Sequence, residues 1–105
     1  MLLVTELRGE LAKTRGLLGR AGNGLVYFRT RWGIHTLGLG LSIDVLILDG
    51  DGIVVETKEN LKPGRLFFWN PRYSRIVELP AGGIKKNHLQ KGDKVELKIA
   101  KINWK

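Results

Sequence analysis

The amino-acid sequence predicts an all-β fold, a compact antiparallel sandwich or barrel with one or two short helices. Three observations predict it. Residues 33–57 contain the longest apolar segment, with side chains alternating in character and a sharp Asp-Gly turn. Six or seven short segments rich in apolar and aromatic residues are separated by Gly, Pro, Asn and Asp clusters. Helical spacing is confined to short segments.

The central segment comes first because the others fold against it. His35, Leu37, Leu39, Leu41, Ile43, Val45 and Ile47 hold the odd positions, and Thr36, Gly38, Gly40, Ser42 and Asp44 the even ones. A period of two puts the odd set on one face of a strand, because successive side chains point to opposite sides. Two interior glycines oppose a helix, each costing about 1 kcal/mol relative to alanine. From Val45 to Leu48 both faces become apolar, as in a strand covered on both sides. Asp49-Gly50-Asp51-Gly52 then offers the positive φ angles of a tight turn, and Ile53-Val54-Val55 begins the return strand.

The remaining elements follow in chain order. Leu3–Leu7 reads as a first strand. Leu7, Leu11 and Leu18 lie at helical spacing, so a short helix is expected from Glu10 to Leu18, ending near Gly19. Ala21-Gly22-Asn23-Gly24 reads as a turn and Leu25–Phe28 as a strand. Beyond the hairpin, Asn60–Gly64 is a loop, with Pro63 fixing φ and Gly64 permitting the reversal. Leu66–Trp69 is the most aromatic run and stops at Asn70-Pro71. Arg75–Leu79 is a strand ended by Pro80–Gly83, and a short helix is expected from Ile84 to His88. Lys91-Gly92-Asp93 is a turn before a last strand through Val95, Leu97 and Ile99. Apolar parity then shifts to Ala100, Ile102 and Trp104, which predicts a bulge or a strand end near Ile99-Ala100.

Composition bounds the function. At 105 residues the expectation is a single domain, residues 1–105. No run of about 18 apolar residues occurs, so no membrane span is expected, and the amino terminus lacks an apolar leader core. The absence of cysteine removes disulfides and thiolate metal sites and fits the cytoplasm. Eighteen Lys and Arg against ten Asp and Glu leave a formal charge of +8. Such a balance favours polyanions through counterion release, but the bases are spread and no block of them occurs.

Motifs that could carry chemistry are few. Asp49-Gly50-Asp51-Gly52 after an apolar strand suggests a phosphoaspartate enzyme, but the parallel strands and crossover helices that chemistry needs have no room here. A calcium loop counted from Asp49 would place Ile53 and Asn60 where oxygen ligands are required, so it is rejected. His35 shares the apolar parity and reads as a core histidine; with His88 in a lysine-rich turn, no metal site and no cofactor are expected. Asp44 interrupts an apolar strand, and a buried carboxylate there must be paired, with Arg15, Arg20 or Arg75 as partners. Arg65, Phe67, Trp69, Arg72, Tyr73 and Arg75 interleave bases and aromatics, a pattern that can stack and hold single-stranded nucleic acid.

Several blocks taken together resemble a known family. They are Arg15–Arg20, Gly33–Leu39, Ile43-Asp44-Val45 leading into Leu48–Gly52, and Val77–Gly82 followed by Lys91-Gly92-Asp93. In order and spacing they are similar to the prokaryotic family called domain of unknown function 192, over about residues 10 to 97. The resemblance implies a jelly-roll-like β-sandwich with one short helix and implies no activity. Members often follow a signal peptide, which this chain is not expected to carry. Gly40, Leu41 and Ser42 depart from the bulky or basic residues and proline usual there.

The expectation is therefore a monomeric or weakly dimeric domain that binds an anionic small ligand or a protein partner without catalysis. Its expected site joins Arg15, Arg20, His35, Thr36 and Asp44, with charge-assisted hydrogen bonds to the anion. The alternative is single-stranded nucleic-acid binding through Arg65, Trp69, Arg72, Tyr73 and Arg75. A hydrolase using His35 and Asp44 is the third reading.

Overall fold

The structure is a computed structural model and describes residues 2–6, 25–31, 33–35 and 41–100. Among the described residues eight strands and one helical turn are formed: β1 (Leu2–Glu6), β2 (Val26–Arg29), β3 (Gly33–His35), β4 (Ile43–Leu48), β5 (Val54–Leu61), β6 (Leu66–Phe68), β7 (Arg75–Pro80), α1 (Gly83–Lys86) and β8 (Leu97–Ala100). The all-β class holds. The helix expected at Glu10–Leu18 and the turn at Ala21–Gly24 lie outside the described residues.

Six strands form one sheet in the order β5-β4-β7-β2-β1-β8, and β3 pairs with β6 in a separate ribbon. Most pairings are antiparallel, as expected, but β1 runs parallel to both β2 and β8. Residues 101–105 lie outside the described residues, and with them the outcome of the parity shift.

β4 is flanked by β5 and β7 and every residue of it is buried, which accounts for its doubly apolar sequence. Its odd and even residues enter two different cores. Leu46 and Leu48 pack with Val4, Tyr27, Val77 and Leu79 on the face that carries α1. Ile43, Val45 and Ile47 pack with Phe28, Ile76, Leu61 and Trp69, against which Ile34 and Phe67 of the β3–β6 ribbon rest.

The single long strand expected over residues 35–47 is not what forms. His35 ends β3 in the small ribbon, β4 begins in the large sheet at Ile43, and Leu41 between them is 52% exposed. Alternation identifies strand conformation but not which sheet a stretch joins. Two strands in different sheets can share a parity by chance of spacing.

The β4–β5 hairpin forms where expected. Gly52 N–H donates to Asp49 O, Asp49 N–H donates to Ile53 O, and Gly52 takes φ +82°. One glycine in the left-handed position closes this kind of three-residue loop. Asp49 Oδ1 accepts from the N–H groups of Asp51 and Ile53, at 2.8 and 2.9 Å, which locks the turn. Val95 N–H donates to Gly52 O and Val54 N–H to Asp93 O, so residues 92–95 cover the start of edge strand β5.

Candidate functional site

Asp44 is fully buried on the α1 face of β4. Oδ1 accepts from Asn60 N–H at 2.8 Å, and Oδ2 accepts from Gly82 N–H at 3.1 Å and Ile84 N–H at 3.0 Å. Asn60 has φ +55° and sits where the β4–β5 register slips by one residue between Ile43 and Val45. Gly82 and Ile84 open α1, whose first amide groups have no partner within the helix. One carboxylate therefore clamps a bulge and a helix start.

This corrects the expected arginine partner in one case. Arg75 pairs in register with Leu48, and Asp44 with Leu79, four residues further along, a separation of about 13 Å. Arg15, Arg20 and Thr36 lie outside the described residues, as does the side chain of His35. The backbone of His35 pairs with Leu66 across the small ribbon.

The basic–aromatic series does not form one surface. Trp69 is 6% exposed, packs at 5.7 Å from Phe67 in the core, and donates its indole N–H to Tyr73 O at 2.8 Å. Tyr73 is half-buried against the same core. The exposed apolar residues are the intervening ones, Leu66 and Phe68, because β6 turns its odd residue Phe67 inward.

Arginines gather at the end of the sheet where β2 leaves and β7 enters. Arg29 and Arg75 are register partners on those strands. Both aim Nε–H at the phenol oxygen of Tyr27, Arg75 at 3.2 Å and Arg29 at a longer 3.4 Å. Arg75 also donates to Asp49 O and Gly50 O and lies over the Tyr27 ring, which ties it to the hairpin turn. The next residues of both loops are joined: Thr30 N–H donates to Ser74 O, and Arg31 donates to Pro71 O at 3.0 Å. Arg72 is exposed on the second loop, over the Tyr73 ring.

Two guanidinium groups on strand ends and two on the linked loops that adjoin those strands thus lie at one end of the sheet. No Asp or Glu occurs in residues 25–43 or 60–77, so neither loop supplies a counter-charge. Acidic groups lie beyond the loops: Glu6 stands opposite Tyr27 on β1, and Asp49 heads the hairpin turn whose carbonyls hold Arg75. The Arg29 guanidinium is held above its ordinary pKa, first by the hydrogen bond to Tyr27 and that oxygen's charge at high pH, and least by Glu6. This cluster escaped sequence reading because Arg29 and Arg31 are remote in the chain from Arg72 and Arg75.

A second titratable group stands apart from these. Glu78 on β7 lies between Val26 of β2 and Val45 of β4, on the sheet face of Ile76. Neither neighbour offers a side-chain donor. Burial pushes its carboxyl up to about 7. The signal was available, since Glu78 interrupts the apolar parity of β7 as Asp44 does that of β4.

Among the described residues no group of three or more His, Cys, Asp or Glu could hold a metal ion, and no helix is long and apolar enough to cross a membrane.

Comparison with solved structures gives the fold independent support. A crystal structure from Novosphingobium aromaticivorans DSM 12444, described as a protein of unknown function, matches with a TM-score of 0.69 at 17% identity, covering 89% of this chain and 71% of that one. A crystal structure from Sinorhizobium meliloti 1021, described as a "putative transcription regulator", matches with a TM-score of 0.59 at 23% identity. That match covers 69% of this chain, which spans 60% of the Sinorhizobium chain's length. At these identities the likeness is one of fold. No curated protein matches. The model of the DUF192 family, described as "Uncharacterized ACR", matches residues 4–97, and the chain belongs to that family.

Proposed function

We propose that this domain binds an anionic ligand or an acidic partner without catalysing its reaction. The observation that carries the reading is the pair of guanidinium groups, Arg29 and Arg75, converging on one phenol oxygen beside Arg31 and Arg72. Cations of one sign held close by hydrogen bonds are preorganised for an anion, whose oxygens accept charge-assisted bonds from several of them. The hydrogen bonds that hold Arg29 and Arg75 go to backbone carbonyls and a phenol, with Glu6 the acidic group that acts on Arg29.

Arg15, Arg20, His35 and Thr36 belong to this proposal as sequence candidates for the same anion. Asp44 contributes at a distance, by holding the fold, because both its oxygens already accept backbone amides. A single-domain protein working in the cytoplasm is part of the reading, consistent with the absence of cysteine.

The test is a thermal-shift series with inorganic phosphate, tripolyphosphate and sodium chloride at matched ionic strength. A ligand that prefers the folded state raises the melting temperature. The phosphates raise it beyond the chloride control, and the Arg29→Gln, Arg72→Gln double variant loses the difference. Equal shifts in both proteins would remove the reading.

A further inference from the structure

The β3–β6 ribbon presents a second feature next to the arginine loops. Phe68 is 65% exposed and Leu66 64%, on the side of β6 opposite the inward Phe67. The ring of Phe68 lies over Gly33, its register partner on β3: a Cβ at Gly33 would stand 2.5 Å from Phe68 Cδ1. Glycine at this position therefore lets the ring settle on the backbone, with its opposite side toward solvent. Gly33 N–H in turn donates to Arg31 O, so the ring platform and the arginine loop are held together.

We infer that this ribbon binds single-stranded nucleic acid, with Phe68 as the stacking platform and Arg31 and Arg72 on the phosphates. The inference rests on the anion-binding reading and names its partner. Charge chooses among occupants of an exposed apolar face. The segments that build the ribbon and its flanks contain no acidic residue, and the chain carries +8, so a second copy is repelled while a polyanion is attracted. An apolar ring with one open face beside phosphate-binding cations suits unpaired bases, whose π-faces stack on aromatics irrespective of sequence. A duplex hides those faces. Trp69, the residue that sequence pattern favours for stacking, is excluded by burial, and Phe68 takes its place.

The experiment is fluorescence anisotropy with a labelled oligouridine and a labelled duplex, at about 50 and about 200 mM salt. The full chain binds the single strand more tightly than the duplex. Phe68→Ala weakens it about ten-fold or more, and Phe68→Trp restores it. The Arg31→Gln, Arg72→Gln double variant lowers the salt slope by about 1.4, two phosphate contacts' worth. Melting curves of Phe68→Ala and Phe68→Trp separate loss of contact from loss of fold. Undiminished binding in Phe68→Ala would overturn the inference, as would equal affinity for the duplex. Binding to an acidic peptide or to anionic vesicles, with none to oligouridine, would also overturn it. A tripolyphosphate shift that survives either result leaves the anion-binding reading standing alone.

Discussion

Oδ2 of Asp44 accepts a hydrogen bond from the backbone N–H of Ile84, 3.0 Å away and forty residues later in the chain. With the bonds from Gly82 and Asn60 it makes the central strand the anchor for α1 and for the β5 bulge. Replacing Asp44 by Ala takes the partner from three amide donors, that of Ile84 buried and those of Asn60 and Gly82 partly buried. The expected cost is about 3–5 kcal/mol, read by urea unfolding. Asp44→Asn keeps the shape and one acceptor oxygen, and costs about 1–3 kcal/mol. A loss under about 0.5 kcal/mol in both variants contradicts the clamp.

Glu78 predicts a pH dependence with a definite sign. Its carboxyl is raised from 4.5 to about 7 by burial. Between those values the folded chain holds a proton that the unfolded chain has released, so stability falls as pH rises. The full stability is present below about 4.5, and the loss is complete above about 7. Each pKa unit corresponds to about 1.4 kcal/mol, which sets a ceiling on the order of 3 kcal/mol, lowered by the solvent the half-buried carboxyl retains. Glu78→Gln has no such penalty, so its stability gains on the wild type from pH 5 to pH 8. Parallel stability curves for the two proteins would refute the assignment.

The hairpin turn separates two glycines that look alike in sequence. Gly52 has φ +82°, and a Cβ there would meet Val95 O at 2.8 Å, a backbone atom that cannot swing aside. Gly50 has nothing within 4 Å of its Cβ position. Gly52→Ala is therefore expected to cost about 2–4 kcal/mol, and Gly50→Ala to stay within about 0.5 kcal/mol. Comparable midpoints in denaturant for the two variants contradict the turn geometry.

Trp69 is a core residue, with its indole N–H satisfied by Tyr73 O. Trp69→Ala is expected to lose about 3–5 kcal/mol of stability, seen in thermal or urea unfolding. Wild-type stability in this variant would show that the ring faces solvent after all.

Which parts of this were legible in the sequence follows from what each part depends on. The hairpin after β4, the buried run Val45–Leu48 and the strand Arg75–Leu79 depend on local pattern, and local pattern is what a sequence displays. The division of residues 35–47 between two sheets depends on tertiary pairing, which alternation does not encode. That Asp44 needed partners was legible; that they are backbone amides was not, because every residue carries one. The arginine cluster depends on the register of β2 against β7, which sets Arg29 beside Arg75. For Trp69 and Phe68 the parity of a three-residue strand decided which ring faces water, and bulk alone gave no guide.

The most direct measurement is an NMR titration of the uniformly ¹⁵N-labelled chain with tripolyphosphate, following arginine Nε–Hε and backbone amide signals together. The account predicts saturable shifts at the Nε–Hε groups of Arg29 and Arg75 and at amides of residues 30–31 and 72–74, while the amides of Asn60, Gly82 and Ile84 on Asp44 stay still. Shifts centred on those three amides, or none at the arginines, would contradict it.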